Sequence, residues 1–217
     1  MINIFYTNIS EDFHKSLLEV YLPKFSSVYQ ARIRRYRRWQ DAQVSLLGRI
    51  LLFQSVKELY DRDYTDKDIK YSKYNKPYFS DTSIKFNISH SGEMVICALS
   101  DESEIGIDLE LISNIPIDEF KSELTEEEWS KITIANNIQD AFFDFWTQKE
   151  AVVKAHGMGL AIPLKSFEIF DNVAKIDNES FYLKEIKIDE KYKCYISLLN
   201  DSTDICLTHK RIDPLTI

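Results

Sequence analysis

The stretch Phe142-Phe143-Asp144-Phe145-Trp146-Thr147-Gln148-Lys149-Glu150-Ala151-Val152-Val153-Lys154-Ala155-His156-Gly157-Met158-Gly159-Leu160 decides how the chain folds. It holds no proline, good helix formers fill its second half, and glycine stands just past His156, where a helix would end. The spacing predicts a helix with Phe142, Phe145, Val152 and Val153 turned to a core. Trp146, Glu150 and Lys154 fall one turn apart and share a second stripe of that helix. Taken alone, a Glu–Lys pair at this spacing is a surface ion pair worth about 0.3–0.5 kcal/mol. It needs partners elsewhere in the chain before it means chemistry.

The 217 residues allow one domain or two small ones, with ample length for a core. A hydrophobic content of 44% and a charged content of 29% are ordinary for a soluble globular chain. A net charge of −8 argues against binding nucleic acid through the overall field. No run approaches a membrane-spanning length, and Met1-Ile2-Asn3-Ile4-Phe5-Tyr6 is not a signal peptide. Cys97, Cys194 and Cys206 are odd in number and far apart, which reads as buried small hydrophobes in a reducing compartment. The expectation is a cytoplasmic monomer that contacts neither membrane nor nucleic acid.

Upstream, Ile2, Ile4 and Tyr6 alternate with polar neighbours and predict a strand. Ser10 can cap a helix carrying Phe13, Leu17 and Leu18, stopped near Pro23. Arg32-Ile33-Arg34-Arg35-Tyr36-Arg37-Arg38-Trp39 is a cationic run that is either a solvated helix face or an anion site. The longest helical pattern spans 41–60, with Leu46, Leu47, Ile50, Leu51, Val56 and Leu59 inward. Short strands are expected at 69–72, 84–87 and 94–99, separated by Asn75-Lys76-Pro77 and by Ser89-His90-Ser91-Gly92. The polar turn at 101–104 is the best boundary, giving an N-terminal lobe 1–103 and a C-terminal lobe 104–217. In Ile105-Gly106-Ile107-Asp108-Leu109-Glu110-Leu111, alternation puts Asp108 and Glu110 on one strand face. Thr125-Glu126-Glu127-Glu128 is a capping box opening a helix that carries Trp129, and strands follow near 167–170, 181–186, 192–198 and 204–208.

Carboxylates two residues apart on a strand have backbones about 7 Å apart, close enough to share one ion. Glu150 is a third candidate ligand. Hard oxygen donors without histidine or cysteine favour magnesium or manganese over zinc, and such sites recruit substrate phosphates as remaining ligands. Lys154, His90 and the Arg32 cluster would then face phosphate. Singly, each has a plainer reading: a solvent-facing strand side for Asp108 and Glu110, a loop-fixing hydrogen bond for His90.

Ile105-Gly106-Ile107-Asp108-Leu109-Glu110, followed by Trp146-Thr147-Gln148-Lys149-Glu150-Ala151-Val152-Val153-Lys154, resembles the signature pair of the 4′-phosphopantetheinyl transferases, Sfp-type branch. The similarity extends to Phe86-Asn87-Ile88-Ser89-His90-Ser91-Gly92, Asn75-Lys76-Pro77, Arg35-Tyr36 with Ser45-Leu46-Leu47-Gly48, and Gly157-Met158-Gly159-Leu160. It implies an α+β fold of two pseudo-twofold-related lobes, each a long helix packed on a small, mainly antiparallel sheet. It also implies transfer of phosphopantetheine from coenzyme A to a serine of an acyl, peptidyl or aryl carrier protein, with 3′,5′-ADP leaving. By position, Asp108, Glu110 and Glu150 would hold magnesium. Glu150 would take the serine proton, and Lys154 would hold the phosphates. Ser89 and His90 would contact coenzyme A phosphates, Arg32 the 3′-phosphate, and Lys76 the nucleotide end. Asn75 stands where the family often has glycine, and it tolerates the same left-handed backbone. Tyr29 stands where relatives carry a further cation. The alternatives are an inactive carrier- or nucleotide-binding module of the same fold, and a nucleic-acid binder built on 32–38.

Overall fold

In the structure, a computed structural model that describes residues 1–201 and 204–214, the chain forms two compact units. The first gathers Met1–Tyr71, Pro77–Asp101 and the segment from Asp204; the second gathers Ser72–Lys76 and the segment from Glu102. In chain order, the first unit runs β1 (Ile2–Asn8), α1 (Glu11–Tyr21), α2 (Ser27–Arg34), α3 (Trp39–Tyr60), β2 (Ile69–Tyr71), β3 (Pro77–Phe79), β4 (Lys85–Ser91) and β5 (Met94–Ser100). The second runs β6 (Ile105–Leu111), α4 (Glu126–Thr133), α5 (Ile138–His156), β7 (Ile169–Phe170), β8 (Val173–Ile176), β9 (Glu179–Glu185) and β10 (Tyr192–Leu198). A last strand, β11 (Ile205–His209), lies parallel to β1 in the first unit, Ile4 facing Leu207. The chain from Asp204 therefore does not stay with a lobe 104–217: pairing with β1 supplies its ladder hydrogen bonds. Among the described residues no helix is long and apolar enough to cross a membrane.

The first unit is an α+β layer. Its sheet has the order β11-β1-β5-β4, antiparallel except at β1–β11, beside a small β2–β3 hairpin. Leu46, Leu47, Ile50, Leu51, Leu52 and Val56 of α3 share one apolar cluster with Phe5, Val95, Cys97 and Leu99 of the sheet. Ser10 precedes α1 as expected, but its side chain makes no cap. Gln43 instead accepts the Ser10 N–H at 2.7 Å and donates to its carbonyl at 2.9 Å. Leu59, expected inward, is 37% exposed. Asn75 has φ +65°, the left-handed backbone expected of it, with Ser72 Oγ accepting from the N–H groups of Tyr74 and Lys76.

The second unit is also α+β, with a wholly antiparallel sheet in the order β6-β10-β9-β8-β7. Ala151, Val152 and Ala155 of α5 pack on Phe181, Leu183 and Tyr195 of that sheet. The start of α4 and the end of α5 are built as the sequence predicts, and Asn137 adds a cap at the start of α5. Thr125 Oγ1 accepts from Glu128 N while Glu128 Oε2 accepts from Thr125 N, and Asn137 Oδ1 accepts from Asp140 N. Gly157, at φ +86°, donates to Val153 O and stops α5, a conformation that favours glycine. Phe142 and Phe143 close a smaller cluster with Leu124 and Ile132, where Trp146 stacks on Phe142 at 5.7 Å.

Candidate active site

Gly106 is the residue that seats β6 on α5. A Cβ built there would lie 2.1 Å from Ala151 O and 2.2 Å from Ala155 N, so the strand rests on the helix backbone itself. Since strand side chains alternate, Asp108 and Glu110 share the Gly106 face and point toward the side α5 occupies. Asp108 is only 3% exposed, so its strand face is not the solvent-facing side of the plainer reading. The Lys154 ammonium donates to Asp108 Oδ1 at 2.5 Å. The Glu150 carboxyl is pushed above its ordinary range, first by burial and then by the Asp108 charge, with Lys154 pulling partly back. Asp108, Glu150 and Lys154 thus act on one another, as the helical spacing and the strand alternation jointly require.

Glu110, half-buried, stands opposite Lys193 in the β6–β10 register. Among the described residues no three His, Cys, Asp or Glu side chains gather closely enough to enclose a metal ion. The expected trio of Asp108, Glu110 and Glu150 therefore does not close into one group, and Lys154 is the counter-ion that Asp108 takes. Behind them on β10, burial pushes the Cys194 thiol up, and both Asp108 and Lys154 act on it. Tyr195, opposite Asp108, donates its hydroxyl to Asp144 Oδ1 at 2.8 Å, and Lys193 lies 3.1 Å from Asp140 and 3.4 Å from Asp144.

Lys76 belongs to the same unit. Its ammonium donates to Glu104 Oε2 at 2.7 Å and to Ala155 O at 3.0 Å, so it caps the C-terminal end of α5 and ties the 72–76 turn to it.

Ser89, His90 and Arg32 lie in the first unit. The ladder of β4 runs on to Ser91, which pairs with Met94, so Ser89 and His90 are strand residues and the turn comes at Gly92, φ +55°. Ser89 is buried and His90 exposed, as alternation demands. Arg32 is exposed in the last turn of α2. A hydrogen bond with Tyr36 raises its pKa further, burial opposing. Tyr29, one turn earlier, is buried and donates to Ser45 O at 2.8 Å; it is packing, not a second cation. Cys97 and Cys194 are buried, but Cys206 is exposed on β11, contrary to its reading as a core hydrophobe.

Two contacts of α5 escaped the sequence reading. Gly106 could have been found, because an isolated glycine within a strand marks close backbone approach. The Lys149 ammonium, fully buried against Glu128 at 2.9 Å, could not have been found from local pattern. Burial lowers its pKa and Glu128 opposes.

Comparison with known proteins places the chain in a family. The family model described as the 4′-phosphopantetheinyl transferase superfamily matches residues 104–208, and one for the N-terminal part of a 4′-phosphopantetheinyl transferase matches 15–102. The chain is 31% identical to a 4′-phosphopantetheinyl transferase, gsp, of Aneurinibacillus migulanus, covering 99% of this chain and 94% of the relative. It is 31% identical to the 4′-phosphopantetheinyl transferase Sfp of Bacillus subtilis, covering 81% and 82%. Likeness to the crystal structure of Thermotoga maritima holo-[acyl-carrier-protein] synthase is slight, with TM-score 0.34 and 15% identity over 43% of this chain and 61% of that one, and carries no argument.

Proposed function

We propose that this chain, which belongs to the 4′-phosphopantetheinyl transferase superfamily, moves 4′-phosphopantetheine from coenzyme A to a serine of an apo carrier protein, releasing 3′,5′-ADP. The carriers are acyl, peptidyl or aryl carrier proteins, met by a monomer in the cytoplasm. The observation that carries the reading beyond family membership is the mutual action of Asp108, Glu150 and Lys154 on the face where Gly106 seats β6. A surface Glu–Lys pair would show neither the burial nor the third charge.

The donor set suits a hard divalent cation, magnesium or manganese. Glu150 feels the charge of Asp108, a repulsion that a cation relieves. Asp108, Glu110 and Glu150, which do not by themselves enclose an ion in this structure, would hold it only together with phosphate oxygens of the substrate. Bound there, it would supply neutralisation of the pyrophosphate oxygens. In the reaction, the serine oxygen bonds to the phosphorus that bears pantetheine. The bond from that phosphorus to the bridging oxygen breaks, and 3′,5′-ADP leaves with the electron pair. Glu150 takes the serine proton, directly or through water, and in the ligand-free chain burial and the Asp108 charge raise its proton affinity. Lys154 sets its ammonium against charge building on the pyrophosphate. Arg32 takes the 3′-phosphate with its guanidinium fork, and Ser89 and His90 take the other phosphates. Lys76 serves the nucleotide end by holding the 72–76 turn on α5.

Incubation with coenzyme A, divalent metal and an apo carrier should generate 3′,5′-ADP in step with carrier consumed; no ADP with any carrier class would refute the reading. Transfer should stop in excess chelator, and Asp108→Ala should abolish it with the far-ultraviolet dichroism unchanged. Full turnover under either condition would remove the metal assignment. Arg32→Ala should weaken coenzyme A roughly tenfold or more, the scale of a charge-assisted hydrogen bond, yet hardly affect 3′-dephospho-coenzyme A. Equal losses in calorimetry for both ligands would put Arg32 elsewhere.

A further inference from the structure

Among the described residues, Lys149 is the one buried lysine or arginine, with a side chain 0% exposed. Its ammonium donates to Leu164 O and Phe167 O, each at 2.7 Å, and lies 2.9 Å from Glu128 Oε1, with the Phe167 ring 4.5 Å away. Two of its N–H donors meet carbonyl oxygens, and the buried Glu128 carboxylate, without a hydrogen bond at Oε1, balances its charge. Glu128 is 2% exposed, and its other oxygen accepts from Thr125 N in the capping box of α4. One side chain therefore ties α5 to the start of α4 and to the turn at 164–167.

Consecutive side chains on a helix differ by about 100° in direction, so pinning residue 149 fixes the rotation of α5 about its axis. That rotation decides where Glu150 and Lys154 project. On the other side, Gly106 leaves no clearance between β6 and the backbone at Ala151 and Ala155. An apolar side chain at 149 could slide along its neighbours. An ammonium held by two carbonyl oxygens and paired with a buried carboxylate cannot, because each partner lost strands a buried polar or charged group.

We propose that Lys149, with Glu128, is a positioning residue whose buried ion pair locks the rotation and seat of α5 against β6, and so aims Glu150 and Lys154 for transfer. This rests on the function proposed above. It goes further by giving catalytic rate, not stability, as the reason for a buried charge pair that apolar residues could replace.

The test compares Lys149→Met, Glu128→Gln and the double variant. Glutamine retains the capping-box acceptor, so α4 keeps its start. Lys149→Met alone should lower the melting temperature, since it leaves Glu128 charged, buried and deprived of its ammonium. The double variant should recover most of that loss, because neutral groups of similar volume commonly match a buried ion pair in stability. Its kcat should nevertheless stay down on the order of 10–100-fold, the cost of slightly misplaced catalytic groups, with KM for coenzyme A within about twofold of wild type. In the ligand-free protein, the amide resonances of Gly106, Ala151 and Ala155 should move in the double variant and, more weakly, in Glu128→Gln. Unmoved resonances together with wild-type kcat in the double variant would overturn the proposal. Should wild type transfer nothing to any carrier, the function reading falls, while the amide resonances still decide the positioning role.

Discussion

Replacing Glu150 by Gln should lower turnover by at least ~100-fold, the usual scale for losing general-base help, while making the ligand-free fold more stable at neutral pH. The two effects share one cause. Burial and the Asp108 charge raise the proton affinity of Glu150 in the folded chain, so the folded state binds a proton more readily than the unfolded one. Stability from this group is therefore greatest at low pH. It declines as pH climbs from the unfolded carboxyl range, about 4.3, through the raised folded value, then levels off. Glutamine keeps the shape and removes the ionisation, so the difference in melting temperature between Glu150→Gln and wild type should open over that window in favour of the variant. A surface Glu–Lys pair would behave oppositely: its loss would cost a little stability and leave turnover alone. Thermal melts of both proteins across pH 3–8, beside turnover at pH 7.5, separate the two pictures.

Gly106→Ala should be among the most destabilising single changes in the second unit. Its new methyl would fall 2.1 Å from Ala151 O and 2.2 Å from Ala155 N, both of them helix backbone that no rotamer change can move. Overpacking relieved by side-chain shifts costs about 1–3 kcal/mol, so lifting a helix should cost about 3 kcal/mol or more. At roughly 2–4 °C per kcal/mol for a chain of this size, the melting temperature should drop by about 6–12 °C or more. Activity should fall further than stability alone explains, because Asp108 and Lys154 separate as β6 and α5 part. A melting temperature within about 2 °C of wild type would mean that the two backbones do not meet there.

What the sequence disclosed and what it withheld divide along physical lines. Local rules were enough for the body of α5, for the capping box of α4, for Gly157 and for Asn75, because each depends on neighbours within a turn of the chain. Helical period and strand alternation together were enough to bring Asp108, Glu150 and Lys154 to one face. The β7–β8 hairpin was legible but unread: Asp171 and Asn172, at φ +48° and +60°, are the residue types a tight hairpin turn selects. Ser89 and His90 looked like a loop because serine and glycine surround them, yet the ladder to β5 overrides that local signal. Long-range pairings left no local mark. Nothing near 205–209 signals a parallel partner some 200 residues earlier at β1. Lys149, between Gln148 and Glu150, reads as surface until Glu128, Leu164 and Phe167 close around it.

The central claim, that this chain places phosphopantetheine on a carrier serine through Glu150, is tested most directly by intact-mass and peptide-mapping analysis of the carrier. Apo acyl, peptidyl and aryl carriers would each be incubated with coenzyme A, magnesium and either wild type or Glu150→Gln. The expected result is a gain of one phosphopantetheinyl group, mapped to a single serine, on at least one carrier with wild type, and an unmodified carrier over the same interval with the variant. A carrier left unmodified by wild type in every class, or modified equally well by Glu150→Gln, would contradict it.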